Sequence, residues 1–203
     1  MSRYTGPRVR VLRKLGTELP GLTRKHNERR PYPPGQHGQA RRKLSEYGLR
    51  LIEKQKLRMN YGVSERQLVS LMKEARAGKG NTGERLLEFL ERRLDNVVFR
   101  AGFARTIPAA RQLVCHGHVL VDGHRVDIAS FRVRVGQQIS IIERSRKSTA
   151  IAASLATPLP FPTPWLEVSA EKLEAKMTML PPPDSIPFPL SVQRVIEFYS
   201  QRV

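Results

Sequence analysis

Residues 92–126 read RRLDNVVFRAGFARTIPAARQLVCHGHVLVDGHRV, and the fold is decided here. Leu94, Val97 and Val98 continue an apolar stripe begun by Leu86, Leu87 and Leu90, with Arg85, Glu88, Arg92 and Asp95 off it. That spacing predicts one helix from just after Thr82, its expected cap, to a stop at Gly102. Thr106 caps the next helix, and Pro108 in its first turn is tolerated because an N–H there lacks an intrahelical partner anyway. Ala110, Leu113 and Val114 face inward on it, Arg111, Gln112 and Cys115 fall opposite, and Gly117 ends it. Asp122-Gly123 between apolar runs signals a tight hairpin, pairing Val121 with His124, Leu120 with Arg125 and Val119 with Val126. Val119, Val121 and Val126 then share a buried face, while His118, Leu120, Arg125 and Asp127 share a more polar one. A strand over Gln138–Ile142 completes a small sheet.

Working outward, residues 44–60 predict a helix closed by Gly62, with one side made basic by Arg50, Lys54, Lys56 and Arg58. Ser64 with Gln67 forms a capping box for the next, whose stripe is Leu68, Leu71, Met72 and Ala75. Gly78 and Gly80 end it. Residues 1–43 read as an arm rather than a domain, because five prolines and five glycines interrupt any long element. Its alternatives are a solubilising tail, or an arm that becomes ordered once phosphates neutralise it. Interleaved Tyr4, His26, Tyr32 and His37 could stack on bases, which favours the second.

The tail changes character. Nine of the fifteen prolines fall between Pro158 and Pro189, so residues 144–190 read as largely extended, with Trp165–Val168 a strand. Val192, Val195, Ile196 and Tyr199 mark a C-terminal packing helix after Ser191. The expected organisation is α+β: a basic arm (1–43), a helical lobe (44–90) completed by the C-terminal helix (190–203), a helix-helix-hairpin module (91–150), and an extended proline-rich segment (151–189) packed on that module.

The net charge of +18 implies a polyanionic partner. It is graded along the chain: +12 over residues 1–58, +7 over 59–149 and −1 over 150–203, which puts the strongest electrostatic pull at the N-terminal end. No apolar run approaches the roughly 18 residues of a membrane span, and the arginines near the start precede no apolar stretch of a signal peptide. Cys115 is the only cysteine, which excludes an internal disulfide and a cysteine-based zinc knuckle. Phosphate-loop, dinucleotide-fold, kinase and serine-nucleophile signatures are absent, and the acids sit beside basic residues, so no catalytic residues are assigned.

Cys115, His116, His118 and His124 invite a metal reading, but neighbouring residues on a helix diverge by about 100° and converge poorly on a tetrahedral ion. Stacking on RNA or capping the helix end suits these histidines better. Arg92, Arg93, Arg100, Arg105 and Arg111 could form only a solvated face. Few acids answer them, and the planar guanidinium suits phosphate, so RNA contact is the expectation. The expected module contacts are these five with Gln112, His116, His118 and Arg125. From the arm and first helix they are Arg8, Arg10, Arg13, Lys14, Arg41, Arg42, Lys54, Lys56 and Arg58.

RLDNVVFRAGFA followed by TIPAARQLVCHGHVLVDGHRVDI resembles the RNA-binding module of the small-subunit ribosomal protein number four family. The αL-like module alone also occurs in some pseudouridine synthases, tyrosyl-tRNA synthetases and small stress proteins. The likeness extends further, through PPGQHGQARRKLSEYGLRLIEKQKLRMNYGVSERQL, PWLEV and VIEFYS, and so spans nearly the whole chain. It implies a two-lobed structural protein that binds 16S-type rRNA at a multi-helix junction of the 5′ domain early in assembly. It further implies a place beside ribosomal protein number five, near where mRNA enters, and an influence on decoding accuracy. Some members hold zinc through arm cysteines; this arm has none, so no metal or cofactor is expected. The start MSRYTGPRVRVLRKLG is similar to cyanobacterial and plastid members, which implies one of those two settings. The segments 144–159 and 181–189 look less typical of the family and carry no assigned role. The competing readings are an RNA-modifying enzyme guided by the module, which lacks room for a catalytic domain, and an RNA-binding regulator acting away from the ribosome.

Overall fold

Leu12, Leu15, Leu19 and Leu22 are all buried, within the stretch expected to be an arm. The computed structural model describes residues 4–26, 28–40, 43–157, 161 and 163–200. Helix α1 (Arg8–Leu15) lies inside the former arm and packs on α2 (Glu46–Tyr61), and the Gly21 N–H donates to Asn60 Oδ1 at 2.9 Å. The prolines and glycines that suggested an arm flank this helix instead of preventing it. Four leucines excluded from water supply on the order of 1.5–3 kcal/mol each, enough to hold a short helix that propensity alone would not.

The chain divides into two compact units, Met1–Leu86 with Ile186–Val203, and Leu87–Ser185. In the first, Ser45 caps α2 through Gly48 N, and Gly62 closes it in the left-handed region. The capping box of Ser64 and Gln67 starts α3 (Glu65–Ala77), which buries Leu68, Met72 and Ala75. Helix α9 (Val192–Ser200) lays Val195, Phe198 and Tyr199 against the α2 side of the unit.

Helix α4 (Thr82–Glu91) begins one residue earlier than expected, with Asn81 Oδ1 accepting from Gly83 N at 2.9 Å. The expected single helix to Gly102 is also broken, since α5 (Leu94–Arg100) is separate. Around the break the backbone turns to residues 129–133: Leu94 N donates to Phe131 O, Asp95 N to Ala129 O, and Val133 N to Arg92 O. Arg93 therefore sits in an extended conformation, φ −62° and ψ 136°, bridged to Arg132. The apolar period runs through the break because both helices face one core. It cannot reveal which backbone donors have found other acceptors.

The second unit continues with α6 (Ile107–Cys115), β1 (Val119–Val121), β2 (His124–Arg125) and β3 (Gln138–Ile141). The hairpin register is as expected, Leu120 with Arg125 and Val121 with His124, and Val126 N donates to Val119 O. Where extended chain was expected, helices α7 (Glu143–Arg146) and α8 (Thr149–Leu155) form. Strands β4 (Leu166–Ser169) and β5 (Glu174–Met177) then enlarge the sheet to the antiparallel order β2-β1-β3-β5-β4. Trp165, Ala175 and Met177 of the proline-rich segment are buried in this unit along with Ile139 and Ile141, so that segment contributes to the core.

Candidate nucleic-acid interface

Helix α6 and the hairpin are set by three local devices. Thr106 Oγ1 accepts from Ala109 N, fixing the first turn of α6. Gly117 stops the helix at φ 72°, and a Cβ there would collide with the Arg125 guanidinium, which lies across it. Asp122 Oδ1 accepts from Gln138 N (2.9 Å) and Oδ2 from Gln137 Nε2 (2.7 Å). Those two hydrogen bonds, the backbone one first, hold its carboxyl below the usual range despite slight desolvation. The turn is thus locked to β3, and Arg125 is aimed from a fixed strand.

Arg105, Gln112, His116 and His118, four of the nine expected module contacts, line one cleft of about 430 Å³. Helix α6 forms one wall and α8 the other, through Ala150 and Ala153, with Phe103 and Leu113 supplying apolar lining. Arg105 is exposed, and its Nε and Nη2 donate to Ala153 O at 3.2 and 2.8 Å. His118 Nδ1 lies 2.8 Å from Ser145 Oγ, and the His116 and His118 rings are 6.1 Å apart at 52°. Arg144 and Lys147, exposed in the helix-turn between β3 and α8, add charge that the sequence reading did not assign. The signal was the RSRK run at 144–147.

The other module arginines do not join this cleft. Arg93 donates to both carboxylate oxygens of Asp95 (3.1 and 2.9 Å), and Arg111 donates to Asp95 Oδ2 through Nε (2.9 Å) and Nη2 (2.6 Å). Arg100 donates to Glu91 at 3.0 and 2.9 Å and to Ser185 O at 2.6 Å, and its guanidinium lies over the Phe161 ring. Arg92 is held by Glu88 (2.6 Å) and Val133 O (2.9 Å). The expectation that few acids answer these arginines is therefore corrected: Glu88, Glu91 and Asp95 answer four of them. A guanidinium taken out of water needs a carboxylate and further acceptors, and the fully buried Arg100 and the nearly buried Arg93 have no face to offer a ligand.

A similar sorting holds in the helical unit. Lys54 is buried, pairs with Glu65 at 2.9 Å and lies over the Phe198 ring; Lys56 pairs with Glu53 at 2.7 Å; Arg58 lies 3.9 Å from Glu65. Glu65 is partly buried, which favours its neutral form, but hydrogen bonds from Tyr199 and Lys54 and the charges of Lys54 and Arg58 outweigh this and lower its pKa. Of the basic side expected of α2, Lys54 and Lys56 are thus internal to the unit, while Arg50 and Arg58 stay partly exposed. Arg8 donates to Leu22 O, and Arg13 donates to the carbonyls of Arg30, Tyr32 and Pro33 while lying over the Tyr32 ring. His26 is bonded to Glu18, which raises its pKa. Arg10 and Lys14 are exposed on α1, and Arg41 and Arg42 lie outside the described residues. Among the described residues no group of His, Cys, Asp and Glu is placed to hold a metal ion.

Residues 3–91 match the family described as ribosomal protein S4/S9 N-terminal domain, and residues 92–139 match the S4 domain. The chain is 55% identical over 206 residues to the small ribosomal subunit protein uS4 of Methylobacillus flagellatus. It is 54% identical over 204 residues to that of Synechococcus elongatus, and 51% identical over 203 to that of Synechocystis. In each case the comparison covers all of this chain and all of the relative.

Proposed function

The chain belongs to the small ribosomal subunit protein uS4 family, and from that premise we propose that it binds 16S-type rRNA at a multi-helix junction of the 5′ domain and nucleates assembly of the subunit body. It is a structural constituent of the small ribosomal subunit and not an enzyme. The observation that carries the reading is identity above one half, sustained over the full length, to relatives bearing that name. Affinity comes mainly from exposed Lys and Arg displacing counterions from phosphates, and selection comes from RNA shape.

Burial and exposure support a smaller contact set. Arg10 and Lys14 on α1, with Arg105, Gln112, His116, His118 and Arg125 on the second unit, present polar groups outward. Arg93, Arg100, Lys54 and Lys56 act instead as internal supports. Neighbourhood with ribosomal protein number five and with mRNA where it enters, and a contribution to decoding accuracy, complete the proposal and rest on the family resemblance. The N-terminal resemblance supports a cyanobacterial cytoplasm or a plastid stroma as the setting. The test is sedimentation of cell extract through a sucrose gradient at physiological salt. The protein should travel with small subunits, and recovery in the free fraction would overturn the ribosomal reading. A filter-binding titration with the junction fragment then reports the salt slope expected of several phosphate contacts.

A further inference from the structure

We propose that the cleft between α6 and α8 receives one unstacked RNA base, so that the protein reads a looped-out nucleotide in addition to gripping phosphates. This rests on the rRNA-binding reading above and names what one part of that surface recognises. The second wall, α8, lies outside both stretches matched to family domains, which end at residue 139.

A site for phosphate alone would be a basic surface. This one is a recess of about 430 Å³ with a mixed lining. That volume falls at the lower end of the ~300–1,000 Å³ typical of small-ligand sites, room for a base with its sugar. Two alanines of α8, Ala150 and Ala153, leave the space open where larger side chains would fill it. Leu113, partly exposed, offers apolar surface for the face of a base, backed by the buried Phe103. The edge of a base needs donors and acceptors, and Gln112, exposed on α6 and without a side-chain hydrogen bond among the described residues, carries both. His118 is fixed by Ser145, and His116 stands across from it at an angle, giving aromatic faces suited to an unpaired base. Arg105, anchored on the Ala153 carbonyl through two of its N–H groups, keeps others for the phosphate attached to that base. A base still stacked in a helix cannot enter, so the occupant comes from a bulge, loop or junction.

The test uses the full chain with two RNAs: a fragment carrying the 5′-domain junction, and a fully paired duplex of equal length. Ala153→Leu fills the recess, and Gln112→Ala removes the edge partner. Fluorescence of the single tryptophan, Trp165, which is buried in the same unit, verifies folding of both variants. Each variant should bind the junction fragment roughly tenfold more weakly, the scale of one lost stacked base, and bind duplex within twofold of the wild type. Equal losses on both RNAs would mean that the cleft touches only backbone and would overturn the inference. Junction binding within twofold of wild type for both variants would overturn it too, while leaving rRNA binding itself intact. If the wild-type chain shows no salt-dependent binding to either RNA, the underlying reading fails with it.

Discussion

Arg100 separates two roles that a basic sequence confuses. Its side chain is fully buried, with both guanidinium contacts to Glu91 near 3 Å, a third to Ser185 O, and the Phe161 ring against it. Arg100→Met keeps most of the volume but strips two guanidinium hydrogen bonds from the buried Glu91 carboxylate, to which Asn96 Nδ2 still donates at 2.9 Å. Stranding one partner of a buried pair costs about 3–5 kcal/mol. For a unit of this size the urea dependence is about 1.5 kcal/mol per M, so the midpoint should fall by about 2–3 M. Trp165 is the chain's one tryptophan and lies in the same unit, so its fluorescence reports that unit's transition. The double variant Glu91→Leu with Arg100→Met removes both charges and replaces them with apolar groups of similar size, and most of the midpoint should return. What stays lost is the hydrogen bond to Ser185 O and one of the two from Asn96, about 1–2 kcal/mol together. The folded single variant should bind rRNA within about twofold of wild type. A midpoint unchanged within about 0.5 M together with a tenfold loss of RNA affinity would refute the assignment and restore Arg100 to the interface.

Leu12→Ala, at a buried position of α1, should cost about 2–5 kcal/mol of local stability, read as faster amide hydrogen exchange in α1. Arg10→Gln with Lys14→Gln should reduce the slope of log affinity against log salt by about 1.5–2, with secondary structure unchanged by circular dichroism; an unaltered slope would remove α1 from the phosphate contacts. The lowered pKa of Glu65 means that the folded state holds its proton more weakly than the unfolded chain does. Its contribution is therefore present above the ordinary carboxyl range and lost as pH falls through the depressed value, and Glu65→Gln should flatten that part of the acid unfolding curve.

Local signals were legible wherever one residue type dictates the backbone. Ser64 and Thr106 as caps, Gly62 and Gly117 as stops, and Asp122-Gly123 as the turn all stand where their chemistry demands. Elements that depend on a distant partner were not legible. Glu174–Met177 alternates too briefly to announce a strand, and acquires its place only between β3 and β4. The break between α4 and α5 depends on carbonyls of residues 129 and 131. In the candidate site, Gln112, His116 and His118 were readable from the helix face and the hairpin register. Ala150 and Ala153 were not, because a small residue contributes space, and space exists only once the opposite wall is in place.

The same distinction governs charge. Arg92, Arg93, Arg100 and Arg111, with Glu88, Glu91 and Asp95, form ion pairs whose joint charge is +1, within a stretch of net +7 over residues 59–149. The field that this stretch presents to a polyanion arises mostly from other side chains. Arginine serves both populations for one reason: a planar fork with several donors can satisfy a buried carboxylate as well as a phosphate. Spacing along a helix cannot separate the two uses, because Glu91 meets Arg100 only across the bend between α4 and α5. The bend that hid the helix boundary is thus the feature that hid the fate of the arginines. A backbone that leaves its ladder to bond residues 129–133 also brings Asp95 beneath Arg93 and Arg111, so the internal ion pairs and the broken helix are one structural solution.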